Sequence, residues 1–350
     1  MAQDILTSYG LARHNARVFS ASGFSGVSPI VYRPYLNGRY SVSAGLYRLG
    51  VQPIEGRVET HTVAFDQTYP AYIAAKVAAR NRALHEYYAL ASLSGPLRSV
   101  ALEFIARTAA HDSGGVLTLD GQTLSNHALG WAGRLDTRRG TLEDLRHFPA
   151  PFAELVKDVQ PLDALDFLAM NMQEDLSILA RNQDGLDFLA ALHVTLPEKW
   201  NPLEKIGRSF AQVHAPVAGS AAMIASAPKL IEAVVTRGPF ARFVWGVTAS
   251  GTLDHHPNLP LEEGLPNDPA RFYLRVERQT LHGFPAESGA LFTIRAYVYP
   301  LAEHFSTPEQ AAALAAGLRS MTPEQLEYKG LTQSRAALLD WLDGRARVVW

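Results

Sequence analysis

The apolar positions change period along the chain, and the change divides it into a helical first part and a strand-rich second part. From Asp66 to Leu93 the sequence is alanine-rich, with Ile73, Val77, Leu84 and Tyr87 or Tyr88 near helical spacing and no proline after Pro70. This predicts a helix stopped by Ser94-Gly95-Pro96. A second helix is expected over Leu97 to Ala110, ending at Ser113-Gly114-Gly115, and residues 116 to 161 read as loop-rich. Ahead of these, Tyr32 to Leu49 carries an Asn37-Gly38 turn signal and a short alternation, which predicts a strand or hairpin.

Beyond Pro161 the period becomes that of strands. The runs DLSILAR and LDFLAALHVTL flank Asn182-Gln183-Asp184-Gly185, and an Asp-Gly turn between two apolar runs predicts a hairpin because glycine accepts positive φ. Asn201 as N-cap with Pro202 in the first helical position predicts a helix that ends near His214, ahead of Pro216. A helical stretch near Lys229 to Val235 then leads to the strand ARFVWGVTA, and FYLRVERQTL and ALFTIRAYVYPL are expected to pair. Cap-then-proline starts at Thr307-Pro308 and Thr322-Pro323 predict two closing helices. The fold class is therefore α+β, with a helix-rich part over 1–160, a sheet core over 161–302 and C-terminal helices over 303–350.

Composition narrows the chemistry. Lys+Arg 32 against Asp+Glu 34 provides no basic field for a nucleic-acid backbone. No apolar run approaches the roughly 18 residues of a membrane span, and MAQDILTSYGLARHNARVF lacks a signal-peptide core, so a cytoplasmic protein is expected. The chain has no cysteine, which excludes disulfides, thiolate nucleophiles and cysteine-ligated clusters. No HExxH, GxSxG, Walker or GxGxxG pattern is present.

Among candidate residues, His214 at a helix C-terminus reads either as a partner of the helix dipole or as a neutral nitrogen ligand for haem iron. Arg275, Glu277 and Gln279 alternate to one face of a strand, as a solvated surface or as a pocket in which Glu277 holds a cation and Arg275 sets its charge and orientation. Glu174 and Asp175 are adjacent on a strand, so they point apart. Asp254-His255-His256 reads as an exposed loop rather than a metal cluster, and His193 as a hydrogen-bonded core residue.

QEDLSIL, LPEKWNPLEKIGRSFAQVHAPV and LRVERQTLHGFPAESGALFTIRAYV, in that order, resemble the haem-dependent oxidative N-demethylase family. The resemblance implies a PAS-like antiparallel sheet with a haem b pocket, flanked by N- and C-terminal helices. It also implies oxidation of a small secondary alkylamine such as dimethylamine by O2, releasing formaldehyde. Electrons would come from NADPH through FMN and [2Fe–2S] groups on a separate reductase component. Carried over by residue, His214 is the expected iron ligand, with His61 and His85 as alternates. Lys205, Arg208 and Trp245 are expected at the cofactor, and Glu277, Gln279 and Arg275 at the amine. Two departures are visible: Val244-Trp245 stands where the family usually has Asn-Trp, and Gly283-Phe284-Pro285 where it usually has Arg-Leu-Pro. A non-catalytic PAS-type haem, gas or small-molecule sensor is the alternative.

Overall fold

A computed structural model describes residues 30–260 and 268–347. The N-terminal segment quoted above therefore lies outside the described residues. The main sheet has seven antiparallel strands: β1 (Tyr47–Arg48), β4 (Tyr88–Leu90), β9 (Asp175–Arg181), β10 (Asp187–His193), β11 (Phe240–Thr248), β12 (Tyr273–Phe284) and β13 (Gly289–Pro300). Their order is β1-β11-β12-β13-β9-β10-β4. The hairpin predicted at Asp184-Gly185 is β9–β10, and it closes against the last strand of the β11–β13 meander.

Several expectations change. Residues 117 to 147 form a four-stranded meander, β5 (Leu117–Asp120), β6 (Thr123–Asn126), β7 (Trp131–Asp136) and β8 (Thr141–His147), in place of loops. Leu117, Leu124, Trp131 and Leu135 bury one face of it in the core shared with Leu176 and Ile178 of β9. The first long helix, α1 (Tyr69–Tyr87), is kinked at Ala83 and stops earlier than its alanine content suggests. Tyr88 to Leu90 instead pair with β10, since an edge strand gains the hydrogen bonds that a further helical turn would have made. The second helix, α2 (Gly95–Asp112), has Ser94 as its cap. Residues near Asn37 make a turn, and only Tyr47–Arg48 of that region joins the main sheet.

The helix expected from Leu203 to Val213 is two pieces. Asn201 caps a single 3-10 turn at Pro202–Glu204, and Gly207, with φ of +75°, ends it. Leu189, at the bulge in β10, donates its N–H to Arg208 and accepts from Gly207, which ties this connection to the sheet. Ser209 then starts α4 (Phe210–His214) with a capping box to Gln212. The short α5 (Ala221–Ala225) and α6 (Ala227–Arg237) follow. At the C-terminus come α7 (Leu301–His304), α8 (Pro308–Arg319), α9 (Pro323–Tyr328) and α10 (Arg335–Ala346), of which the sequence signals marked α8 and α9.

Alternation along β11–β13 gives the sheet two distinct faces. On one, Trp245, Val276, Tyr297 and Tyr299 pack against Leu314, Leu318, Leu338 and Leu342 of the C-terminal helices. On the other, Leu281, Ala290 and Leu179 pack against Phe210 of α4 and Ile231, Val234 and Val235 of α6. The second contact requires Gly283: a Cβ there would collide with the backbone carbonyls of Val234 and Val235. An arginine could not occupy this position unless α6 moved.

Candidate functional site

The register of the three central strands builds the site. Arg242 lies opposite Gln279, Val244 opposite Glu277 and Gly246 opposite Arg275, so these six side-chain positions share the face covered by α4 and α6. Ile294, Ala296 and Val298 of β13 extend each row. His214 ends α4 on the same face, where burial lowers its pKa, the Phe210 carbonyl raises it, and Arg242 and Lys205 lower it further. The imidazole is thereby kept neutral, the form in which it ligates a metal.

His214 has a defined tautomer. Its Nδ1 lies 2.8 Å from the Phe210 carbonyl oxygen, which can only accept, so Nδ1 carries the proton and Nε2 holds the free lone pair. A backbone carbonyl holding the remote N–H is the usual support for a metal-bound histidine. Among the described residues Nε2 has no hydrogen-bond partner.

Glu277 is partly buried and accepts a 2.9 Å hydrogen bond from Gln279 Nε2. Gln279 Oε1 is buried without a partner, as is Nε of Arg242, whose terminal nitrogen donates to the Ser43 carbonyl at 3.2 Å. Arg242 was not singled out in the sequence. Burial lowers its pKa and the Glu277 carboxylate raises it. An arginine in a strand that is otherwise apolar, ARFVWGV, was the available signal.

Arg275 is on the same face but does not serve Glu277. Its guanidinium contacts Glu198 at 2.7 Å and donates to the carbonyls of Leu253 at 2.8 Å and Leu196 at 2.7 Å. It ties the loop of Leu196 and Glu198 to the loop of Leu253. Lys205 is partly buried, donates to the Val213 carbonyl at 3.3 Å and sits close enough to influence His214; burial lowers its pKa. Arg208 is exposed at the start of the same segment. Trp245 points to the opposite face, 6.0 Å from Tyr35 and 5.3 Å from Tyr40 between ring centroids. His61 is also on that side, its carbonyl accepting from Arg278, and His85 is exposed at the end of α1.

The Asp254-His255-His256 loop is buried, contrary to the exposed position expected for it. Asp254 pairs with Arg82 and Tyr87, and His255 Nδ1 lies 2.8 Å from Glu198. Long-range partners that sequence spacing does not reveal account for the difference. His193 is hydrogen-bonded to Asp166 at 3.0 Å within the core. Glu174 and Asp175 are buried and turn apart, Glu174 toward the Ala64 amide and Asp175 toward Thr195 and Lys76. Among the described residues there is no cluster of three His, Asp or Glu able to hold a bare metal ion. An imidazole that keeps one nitrogen free, as His214 does, suits an iron whose remaining ligands belong to a macrocycle.

No helix among the described residues is long and apolar enough to cross a membrane. The sequence model of the family described as haem-dependent oxidative N-demethylase, alpha subunit-like, matches residues 54–339, which include His214, Arg242, Glu277 and Gln279. The chain belongs to the haem-dependent oxidative N-demethylase, alpha subunit-like family.

Proposed function

We propose that this protein is the haem-carrying component of an amine monooxygenase that removes a methyl group from a small secondary alkylamine. The observation that carries the reading is the free Nε2 of His214 on the face that presents Glu277, Gln279 and Arg242. The five strands β9–β13, with a hairpin closed onto the last strand of a meander, are the arrangement expected of a PAS-like core over 161–302. The overall reaction balances as secondary amine, O2, two electrons and two protons giving primary amine, formaldehyde and water. The electrons would come from a separate flavin and iron–sulfur reductase, because a cysteine-free chain cannot hold a thiolate-ligated cluster.

In this reading His214 holds the iron of haem b, with Lys205 and Arg208 as cations at the cofactor's edge. Haem, when bound, supplies the chemistry that activates O2. Glu277 accepts a charge-assisted hydrogen bond from the substrate ammonium, worth about 1.5–3 kcal/mol. Gln279 fixes the carboxylate by donating to Oε2. Arg242 keeps a permanent positive charge beside the amine site and can donate from Nε to an anionic oxygen. Val244, Ile294 and Ala296 line the same rows and exclude water from the amine nitrogen.

Val244 directly opposite Glu277, where the family usually has asparagine, favours a second reading, a haem or small-molecule sensor without turnover. Purified wild type should show a Soret band, and His214→Ala should lose or shift it. With dimethylamine, O2 and a reductase, formaldehyde should form. A His214→Ala spectrum identical to wild type would overturn the ligand assignment, and a haem-loaded protein that makes no formaldehyde from any small secondary amine would support the sensor.

A further inference from the structure

The C-terminal tail places a cation on the pocket face that no role above uses. Lys329 caps α9, and the helix closes with Gly330 at φ +69° and a Leu331 N–H to Leu326 carbonyl bond, which fixes where the lysine leaves the helix. Its stem then crosses β11 at Gly246, where Nζ lies 3.3 Å and Cδ and Cε 3.6 Å from the point a Cβ would occupy. A glycine in mid-strand marks such an approach. Gly246 shares its face with Val244, which lies opposite Glu277.

Among the described residues Lys329 has no carboxylate within 4 Å and makes no side-chain hydrogen bond, and the residue as a whole is partly buried. It lies in the electrostatic field of Tyr40, Glu198, Tyr328 and Glu277. Glu198 is already matched by Arg275 and His255, and Glu277 is held by Gln279. The phenol groups of Tyr40 and Tyr328 also make no hydrogen bond among the described residues. Lys329 stands 5.8 Å from the Tyr328 ring centroid. Burial raises the pKa of the Tyr328 phenol, so it remains a donor. One ammonium and two phenols lie within electrostatic reach of one another, and among them only the phenol oxygens can accept.

We infer that Lys329, with the phenols of Tyr40 and Tyr328, forms a carboxylate-binding subsite at the Gly246 end of the pocket face. The carboxylate is either a propionate of the macrocycle or the acid group of an N-methyl amino acid, and the choice between them rests on the haem and amine reading above. A carboxylate meets this donor set with two acceptor oxygens and one negative charge, whereas a second ammonium would meet repulsion.

Apo-protein would be titrated with iron protoporphyrin IX and with its dimethyl ester, for wild type, Lys329→Gln, Lys329→Arg and Gly246→Ala. Haem-loaded protein would be titrated with N-methylglycine and with dimethylamine, read by the Soret change. A roughly tenfold fall in preference for the diacid over the diester in Lys329→Gln, with Lys329→Arg retaining it, assigns the subsite to the macrocycle. A similar fall in N-methylglycine affinity, with dimethylamine unaffected, assigns it to the substrate. Gly246→Ala displaces the ammonium while leaving the lysine in place and should reproduce either loss, which covers a Lys329→Gln variant that fails to fold. Unchanged preferences in both titrations overturn the subsite. If the wild type binds no haem, the function reading fails, and calorimetry of apo-protein with N-methylglycine tests the subsite alone: binding lost in Lys329→Gln supports it, and the absence of binding overturns it.

Discussion

Glu277 and Arg278 are neighbours on one strand, yet they belong to two opposite designs. On the side of Arg278 the two buried arginines are ion-paired. Arg278 pairs with Glu59 at 2.9 Å and donates to the carbonyls of His61 and Thr62, while Arg295 pairs with Asp66 at 2.6 Å and donates to Ala64. Tyr32 adds a 3.0 Å hydrogen bond to Glu59. These contacts strap residues 59–66 across the sheet. On the side of Glu277, Arg242 Nε, Gln279 Oε1, His214 Nε2 and the Lys329 ammonium have no hydrogen-bond partner among the described residues. Buried polar groups inside a fold are normally satisfied, so an unsatisfied set on one face marks where a ligand completes the structure. Neither charge nor complete saturation distinguishes the two faces, since Glu174 Oε2, Arg295 Nε and both His304 nitrogens also lack partners on the Arg278 side; the difference is that Arg278 and Arg295 are ion-paired to the strap, whereas Arg242 and Glu277 have no ion pair within 4 Å among the described residues.

Substitutions on the two faces should therefore separate stability from activity. The largest loss of stability is expected for Arg278→Met, about 3–5 kcal/mol in urea unfolding, because Glu59 and two strap carbonyls lose their partner. A loss below about 1 kcal/mol would erase the contrast. Acid comes next. Burial pushes the Glu198 carboxyl up, but Arg275 and His255 outweigh it and bring the pKa down from 4.5 to about 2. A carboxylate with a depressed pKa stabilises the fold above its unfolded value and loses that contribution as pH falls through the folded one. Unfolding free energy should drop by roughly 3 kcal/mol between about pH 4.5 and 2, and Glu198→Gln should flatten that part of the profile.

Gly283→Ala should cost about 1–3 kcal/mol, since α6 must shift off β12. The smallest change in stability, under about 1 kcal/mol, is expected at Glu277→Gln, whose side chain has one hydrogen-bond partner among the described residues. Formaldehyde production by the same variant should fall about 10- to 100-fold. Equal losses of stability at Glu277 and Arg278 would mean that the two faces do the same work.

What the sequence made legible follows from local chemistry. The β9–β10 hairpin was visible in Asp184-Gly185, the β12–β13 pair in its β-branched and aromatic runs, and α8 and α9 in their Thr-Pro starts. The resemblance to the N-demethylase family rested on blocks from these same segments and agrees with the family match. The meander at 117–147 was not visible because its first two strands are four residues each and carry Thr, Asp, Ser and Asn among few apolar positions. The break at Gly207 was hidden for a different reason: Ser209 and Gln212 form a second start signal inside what reads as one helix. The pairing of Arg275 with Glu198, rather than with a residue on its own strand, depends on a fold-level contact that spacing cannot encode.

The segment that presents His214 has one more consequence. A five-residue helix is too short to be stable by itself, and α4 is held by the Ser209 cap, the backbone pairing of Leu189 with Gly207 and Arg208, and the packing of Phe210. A bond from His214 to iron would draw its free energy partly from the order of this segment and return it as order. Cofactor loading and local folding would then form one linked equilibrium, in which release of the cofactor would expose residues 201–214 to proteases before the rest of the molecule.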